Sequence, residues 1–305
     1  MKKYTLLLLL GSLLLTGCSI VKEQSSSELE DYEEEEEEAE IVTSTSSFDG
    51  EASEERSKEE ASSEQESNER LVSNLKKADY NLFPQYYLEK FASYNSYKAV
   101  TEGTTESSVL FVTVNQAINV TAIKNGDYTY QYNKSESNMF SSEHIAYYHS
   151  DKAAYKEKNS KGKNDADYIV SSMSDYLTKF GIYPFANAIE GYITTEEALT
   201  SVTRKKSSDE NFVFKLVLDK DNATTNVKVQ MKEFGALDKE PEFSKIELTL
   251  TVKDDYTPVK IDLVSKYTAK QGASASCTQN YTVTFSNFNE DIEIPGLDNI
   301  KGLLD

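Results

Sequence analysis

His144 and His149 are the two histidines of the sequence, both inside Glu143-His144-Ile145-Ala146-Tyr147-Tyr148-His149. A separation of five puts the two rings on opposite faces of a strand and more than a turn apart on a helix, so the spacing does not make a shared metal site. Exposed or hydrogen-bonded imidazoles are expected instead. Asp219-Lys220-Asp221-Asn222 has the acidic spacing that opens a calcium loop, but Thr224 stands where the loop needs glycine and Gln230 where it needs a bidentate glutamate. A polar turn is expected there. Ser142 lies two residues before His144, yet no Gly-x-Ser-x-Gly elbow is present, and no obvious orienting acid or oxyanion donors accompany it. Two cysteines and three arginines leave little for thiol chemistry or phosphate clamps. These residues predict no enzymatic activity, no metal and no cofactor.

Charge narrows the partners. The formal net charge is −20, but 20 acids against 4 bases fall in residues 19–70, and 32 acids against 26 bases follow residue 70. The later part is only mildly acidic. A nucleic acid needs a basic footprint, which neither part offers, so no nucleic-acid partner is expected.

Cys18 is where the sequence is most specific. Lys2 and Lys3 form a basic start, Leu6 to Leu15 an apolar run broken by Gly11 and Ser12, and Leu15-Thr16-Gly17-Cys18 closes it. A run of roughly 10 residues is too short for a bilayer core that needs about 20, which predicts an export signal over residues 1–17. The closing four residues resemble the lipobox of bacterial lipoproteins. That resemblance implies a mature chain starting at Cys18, whose sulfur carries a diacylglyceryl group and anchors the chain to the outer face of the cell membrane. With Cys18 modified, Cys277 has no partner for an internal disulfide.

Residues 18–70 are rich in Glu and Ser, including the run Glu33 to Glu38, and hold few large apolar residues. Such a segment cannot bury enough surface to offset its ordering entropy and reads as a disordered acidic tether. For about 50 residues the end-to-end distance is ~40 Å, more with charge repulsion.

Residues 71–305 read as one β-rich domain. Val109 to Ile123 alternates as a strand, with Leu110, Val112, Val114, Ile118, Val120 and Ala122 on one face. Asn125-Gly126 marks a hairpin, after which Tyr128, Tyr130 and Tyr132 oppose Ile123, Thr121 and Asn119, on the face away from the aliphatic residues. An Asp254 to Thr257 turn pairs Val252 with Val259, Leu250 with Ile261 and Leu248 with Leu263. Phe212, Phe214, Leu216 and Leu218 alternate in a further strand, and Cys277 shares a strand face with Tyr281, Val283 and Phe285, as a buried hydrophobe rather than a reactive thiol. Helices are expected from Gln85 to Tyr94, from about Ala223 to Phe234, and from Asp165 or Asp167 to Phe180 before Gly181. In the last, Ile169, Met173, Tyr176, Leu177 and Phe180 recur at helical spacing.

Met231-Lys232-Glu233-Phe234-Gly235, Pro241-Glu242-Phe243-Ser244-Lys245-Ile246-Glu247-Leu248-Thr249 and Phe285-Ser286-Asn287-Phe288-Asn289 before Ile294-Pro295 resemble the C-terminal half of uncharacterised Gram-positive lipoproteins. Those are similar to the LolA and LprG group. The resemblance implies an α+β fold, mainly antiparallel β: a curved, incomplete barrel with a few helices across its concave face. It also implies that a lipid or other hydrophobic ligand sits between sheet and helix. The sheet side of that site would be Val112, Val114, Ile118 and Val120, and the lid Ile169, Met173, Tyr176 and Phe180. All eight suit an ordinary core equally well. The alternative is a surface interaction or envelope-sensing module with a solid core that uses the tyrosine-rich face.

Overall fold

In the computed structural model, residues 70–137, 141–159, 167–180, 192, 196–206, 210–235 and 237–305 are described. Cys18, residues 1–17, the Glu/Ser-rich stretch up to residue 69, the Asp165 cap and Gly181 lie outside them.

Eleven antiparallel strands form one sheet: β1 (Ser96–Val109), β2 (Val112–Asn125), β3 (Tyr128–Ser137), β4 (Ser141–His149), β5 (Lys152–Asn159), β6 (Ile169–Ser172), β7 (Leu199–Lys206), β8 (Phe212–Leu218), β9 (Glu242–Val252), β10 (Pro258–Gln271) and β11 (Ala273–Ser286). Their order is β6-β5-β4-β3-β2-β1-β11-β10-β9-β8-β7. β6 and β7 are therefore free edges, and the barrel stays incomplete. Among the described residues the α-helices are α1 (Phe83–Ala92), α2 (Met173–Phe180), α3 (Thr225–Gly235) and the single turn α4 (Lys301–Leu304).

Alternation decides what each face carries. On the β1, β2 and β8–β11 side, the inward residues are apolar and meet α1 and α3 in one core: Phe83, Tyr87 and Phe91 from α1 and Val227 and Met231 from α3 pack with Phe214, Leu216, Leu248, Leu250, Ile261, Leu263 and Tyr281. Phe83 stacks on Phe214 with centroids 3.6 Å apart. Cys277 is buried in this core, where burial pushes its thiol up from the usual range. Gly103 faces Tyr281 across β1 and β11, and a Cβ there would collide with the Asn280 carbonyl and the Tyr281 ring. The missing side chain is thus what lets the Tyr281 ring lie flat, with its hydroxyl 2.6 Å from Thr105 Oγ1.

The outer face of β2–β5 is also covered. Ile123, Tyr130, Tyr147 and Ala154 lie in one cross-strand row, and Ile294, Ile300 and Leu304 of the C-terminal segment pack on it. Tyr147 donates to the Pro295 carbonyl at 2.6 Å and Tyr128 to Asp305 Oδ1 at 2.6 Å. The tyrosine-rich face is thus occupied by the chain's own end.

Three local expectations change. Val109–Ile123 is two strands, because Leu110 and Phe111 make a tight turn with Leu110 at φ +53°. Apolar residues at the turn kept the alternation unbroken and hid it. The Asn125 hairpin turns on Gly126-Asp127, so Ile123 faces Tyr130 rather than Tyr128; a shift of two preserves the face on which the tyrosines lie. Ile169 is not helical: Ile169–Ser172 add to the edge of β5, and the helix begins at Met173. There Ser172 Oγ accepts from the Asp175 N–H at 3.0 Å and donates to Asp175 Oδ2 at 2.8 Å, a reciprocal cap. The second hairpin pairs as expected, except that a bulge sets Pro258 rather than Val259 opposite Val252.

Candidate functional site

β3 has an inverted pattern. Its sequence Tyr-Thr-Tyr-Gln-Tyr-Asn-Lys-Ser sends the rings to the outer face, so Thr129, Gln131, Asn133 and Ser135 point inward, and all four are buried. Buried polar residues of neighbouring strands continue this belt. Gln116 comes from β2, His144 from β4 and Glu157 from β5; Asn133, His144 and Glu157 are direct cross-strand neighbours. β1, β11 and β10 extend it with Thr105, Gln279 and Ser265. A polar stripe thus crosses the inner face between apolar regions.

α2 closes the site over β4 and β5. Tyr176 and Phe180 are buried against Ala146, Tyr148, Ala153 and Tyr155, with Met173 beside them. Tyr148 donates to the Tyr176 hydroxyl at 2.8 Å, and the Tyr176 hydroxyl is 2.9 Å from His144 Nε2. Burial holds both phenols above their usual range, so both keep their protons. With Tyr148 giving its proton to Tyr176, the Tyr176 proton goes to His144 Nε2, which assigns the imidazole hydrogen to Nδ1. That Nδ1 lies 3.9 Å from Glu157 Oε1, beyond hydrogen-bond range. Lys179 Nζ stands at the same distance, 3.9 Å, from Glu157 Oε2.

Three buried atoms of this belt have no partner among the described residues: Gln116 Oε1, Asn133 Nδ2 and His144 Nδ1. They sit on three consecutive strands and supply one acceptor and two donors. Their other ends are engaged, since Gln116 Nε2 donates to Ser135 Oγ, and Gln131 Nε2 donates to Asn133 Oδ1 at 3.1 Å. The residues are therefore oriented, and the unpaired atoms are held in place.

The eight residues expected to line a ligand site do not converge. Ile118 and Val120 are part of the large core, while Tyr176, Phe180 and Met173 belong to the separate cluster over β4–β5. Val114 is buried on the inner face, Val112 is 60% exposed beside the β1–β2 turn, and Ile169 is 39% exposed on edge strand β6. Sequence reasoning singled out His144, expecting an exposed or hydrogen-bonded imidazole, and saw Gln116 as a polar intruder on the aliphatic face; it missed Gln131, Asn133, Ser135 and Glu157. The alternation of β3 was the available signal, had its tyrosine face been read as buried. His144 and His149 do lie on opposite faces: His149 stacks on Tyr128, centroids 4.2 Å apart, on the outer side. Asp219 Oδ1 accepts from the Asp221 and Asn222 N–H groups at 3.0 and 2.9 Å, a polar turn. Among the described residues no group of three or more His, Cys, Asp or Glu could hold a metal, and no helix is long and apolar enough to cross a membrane.

No family model matches the chain, and no curated protein sequence does. Solved structures of lipoproteins do resemble it. LprF from Mycobacterium bovis is 13% identical, covers 72% of this chain and 97% of its own, and superposes with a TM-score of 0.39. LppX from Mycobacterium tuberculosis is 9% identical over 72% of this chain and 100% of its own, with a TM-score of 0.30. A DUF1329 family protein from Desulfovibrio piger is 10% identical over 75% of this chain and 98% of its own, with a TM-score of 0.26. This chain's own architecture is an open antiparallel sheet of eleven strands.

Proposed function

We propose that this protein is an extracytoplasmic lipoprotein, held to the outer face of the cell membrane by lipid on Cys18, that binds an amphiphile on the inner face of β2–β5 beneath α2. In this reading residues 1–17 are the export signal, 18–70 the tether and 71–305 the binding domain. The observation that carries the ligand is the set of unpaired buried atoms on Gln116, Asn133 and His144. A wholly apolar cargo would leave them unpaired at a cost of about 1–3 kcal/mol each, whereas a ligand with a hydroxyl, ester or amide between apolar parts satisfies them. Tyr176, Phe180 and Met173 meet its apolar part. The packed core around Phe83 and Phe214 supports the alternative of a packed interaction module for that half of the sheet, and in this reading the ligand takes the other half.

The test is mass spectrometry on the full chain purified from its membrane, natively and after organic extraction. A single amphiphile near one-to-one, lost on Asn133→Leu or His144→Phe, supports the reading. A clean apo mass that persists after incubation with membrane lipid overturns it. The mass of the N-terminal peptide reads lipidation of Cys18 separately.

A further inference from the structure

Leu110, Phe111 and Val112 are 81%, 102% and 60% exposed, three consecutive large apolar side chains at the turn joining β1 to β2. Among the described residues, the other exposed large apolar side chains stand singly or, at Ile169 and Val170, as a pair. The turn lies within an uncharged stretch, nearer its start: between Glu106 and Lys124 no residue carries charge, in a chain where 28% of residues do. Ser107, Ser108, Thr113 and Asn115 flank it with groups that hydrogen-bond without charge.

We infer that the β1–β2 turn is a bilayer-contacting tip, with Leu110, Phe111 and Val112 entering the outer leaflet that holds the anchor. This rests on the lipoprotein reading and adds how the site meets its lipid source. A protein partner suits the feature poorly, since stable protein interfaces bury about 800 Å² on each side and a two-residue turn presents three side chains on a convex point. A bilayer accepts such a wedge. Charge points the same way, because an acidic chain is repelled by anionic headgroups and approaches them best through an uncharged stretch. An anchored chain also needs only weak tip affinity, because tethering raises the effective concentration. The tip lies at the opposite end of the sheet from Val72, whose N–H donates to the Asp254 carbonyl in the β9–β10 turn at 2.7 Å. The domain therefore turns its far end to the membrane. Residues 18–70 at up to ~3.5 Å each exceed the ~45 Å length of a 14-residue strand several-fold, so this orientation is within reach.

The sequence has no tryptophan, so Phe111→Trp creates a single reporter. The full lipid-bearing chain is reconstituted into phosphatidylcholine–phosphatidylglycerol vesicles with and without brominated acyl chains. Asp127→Trp, in the β2–β3 turn at the other end of the sheet, is the comparison. Blue-shifted emission and at least twofold bromine quenching for Phe111→Trp, with none for Asp127→Trp, is the expected result. Water-like, unquenched emission from Phe111→Trp on vesicles that carry the protein overturns the tip and leaves the anchor standing. Failure to float with vesicles overturns the anchor; the tip falls with it if Phe111→Trp also stays unquenched at saturating vesicle concentration.

Discussion

Asn133 and His144 face one another across β3 and β4, and each holds a buried side-chain nitrogen without a hydrogen-bond partner among the described residues. Their other polar atoms are tied to Gln131 and Tyr176. Replacing either residue removes one bond and exchanges its unpaired donor for another, the Gln131 Nε2 or the Tyr176 hydroxyl that it had satisfied. Asn133→Leu and His144→Phe are expected to leave unfolding free energy within about 1 kcal/mol, while ligand retention falls at least tenfold, about 1.4 kcal/mol. Denaturant unfolding and native mass spectrometry on the same samples measure both. Retention equal to the parent protein's would remove these residues from the site.

Gly103 gives a sign test. Alanine in a strand is ordinarily better than glycine by about 0.5–1 kcal/mol. Here the added methyl meets the Asn280 carbonyl and the Tyr281 ring, so Gly103→Ala should destabilise by about 2 kcal/mol. Chemical denaturation decides; a stabilised variant would contradict the Tyr281 placement.

The C-terminal segment acts as a cover. Ending the chain after Asp291 removes Ile294, Ile300 and Leu304 and uncovers Ile123, Tyr130 and Tyr147. A loss of about 3 kcal/mol or more is expected from three buried aliphatic side chains, together with self-association through the uncovered row. Light scattering and thermal melts report the two effects. Ile300→Ser is the milder version, at about 2 kcal/mol without aggregation.

Alkali should unfold the domain cooperatively. Burial raises the phenols of Tyr148, Tyr176, Tyr192, Tyr267 and Tyr281 above the unfolded value of about 10. Groups raised in the folded state contribute stability that is intact below the unfolded pKa and lost as pH climbs above it. Stability is therefore expected to hold up to about pH 10 and fall beyond it. These five should ionise only as the sheet signal collapses, which simultaneous phenolate absorbance and circular dichroism would show. Smooth titration of all 20 tyrosines with the sheet intact would contradict their burial.

The second hairpin was legible because its pairing is local. The Leu248, Leu250 and Val252 alternation faced its own image across a short turn, so the β9–β10 register followed from pattern alone. Period-two alternation also separated the tyrosines of β3 from the aliphatic residues of β2. Alternation assigns residues to faces but does not say what covers a face. Tyr130 and Tyr147 look like surface until the residues from Ile294 to Leu304, far along the chain, close over them. Their burial is what turns Asn133 and His144 inward.

Likewise Met173, Tyr176 and Phe180 form an apolar stripe in any reading, but only the pairing of β6 with β5 sets α2 over Ala146, Tyr148 and Ala153 rather than over Val114. The sequence by itself determined an acidic stretch before residue 70, a strand-rich stretch after it and most of the β9–β10 pairing, because each rests on neighbours within a few residues. Tertiary structure alone decided which face became interior, where the polar stripe crosses it, and which atoms in it lack partners. Those depend on which strands pair and on a cover that comes from more than a hundred residues along the chain, and no local period encodes them.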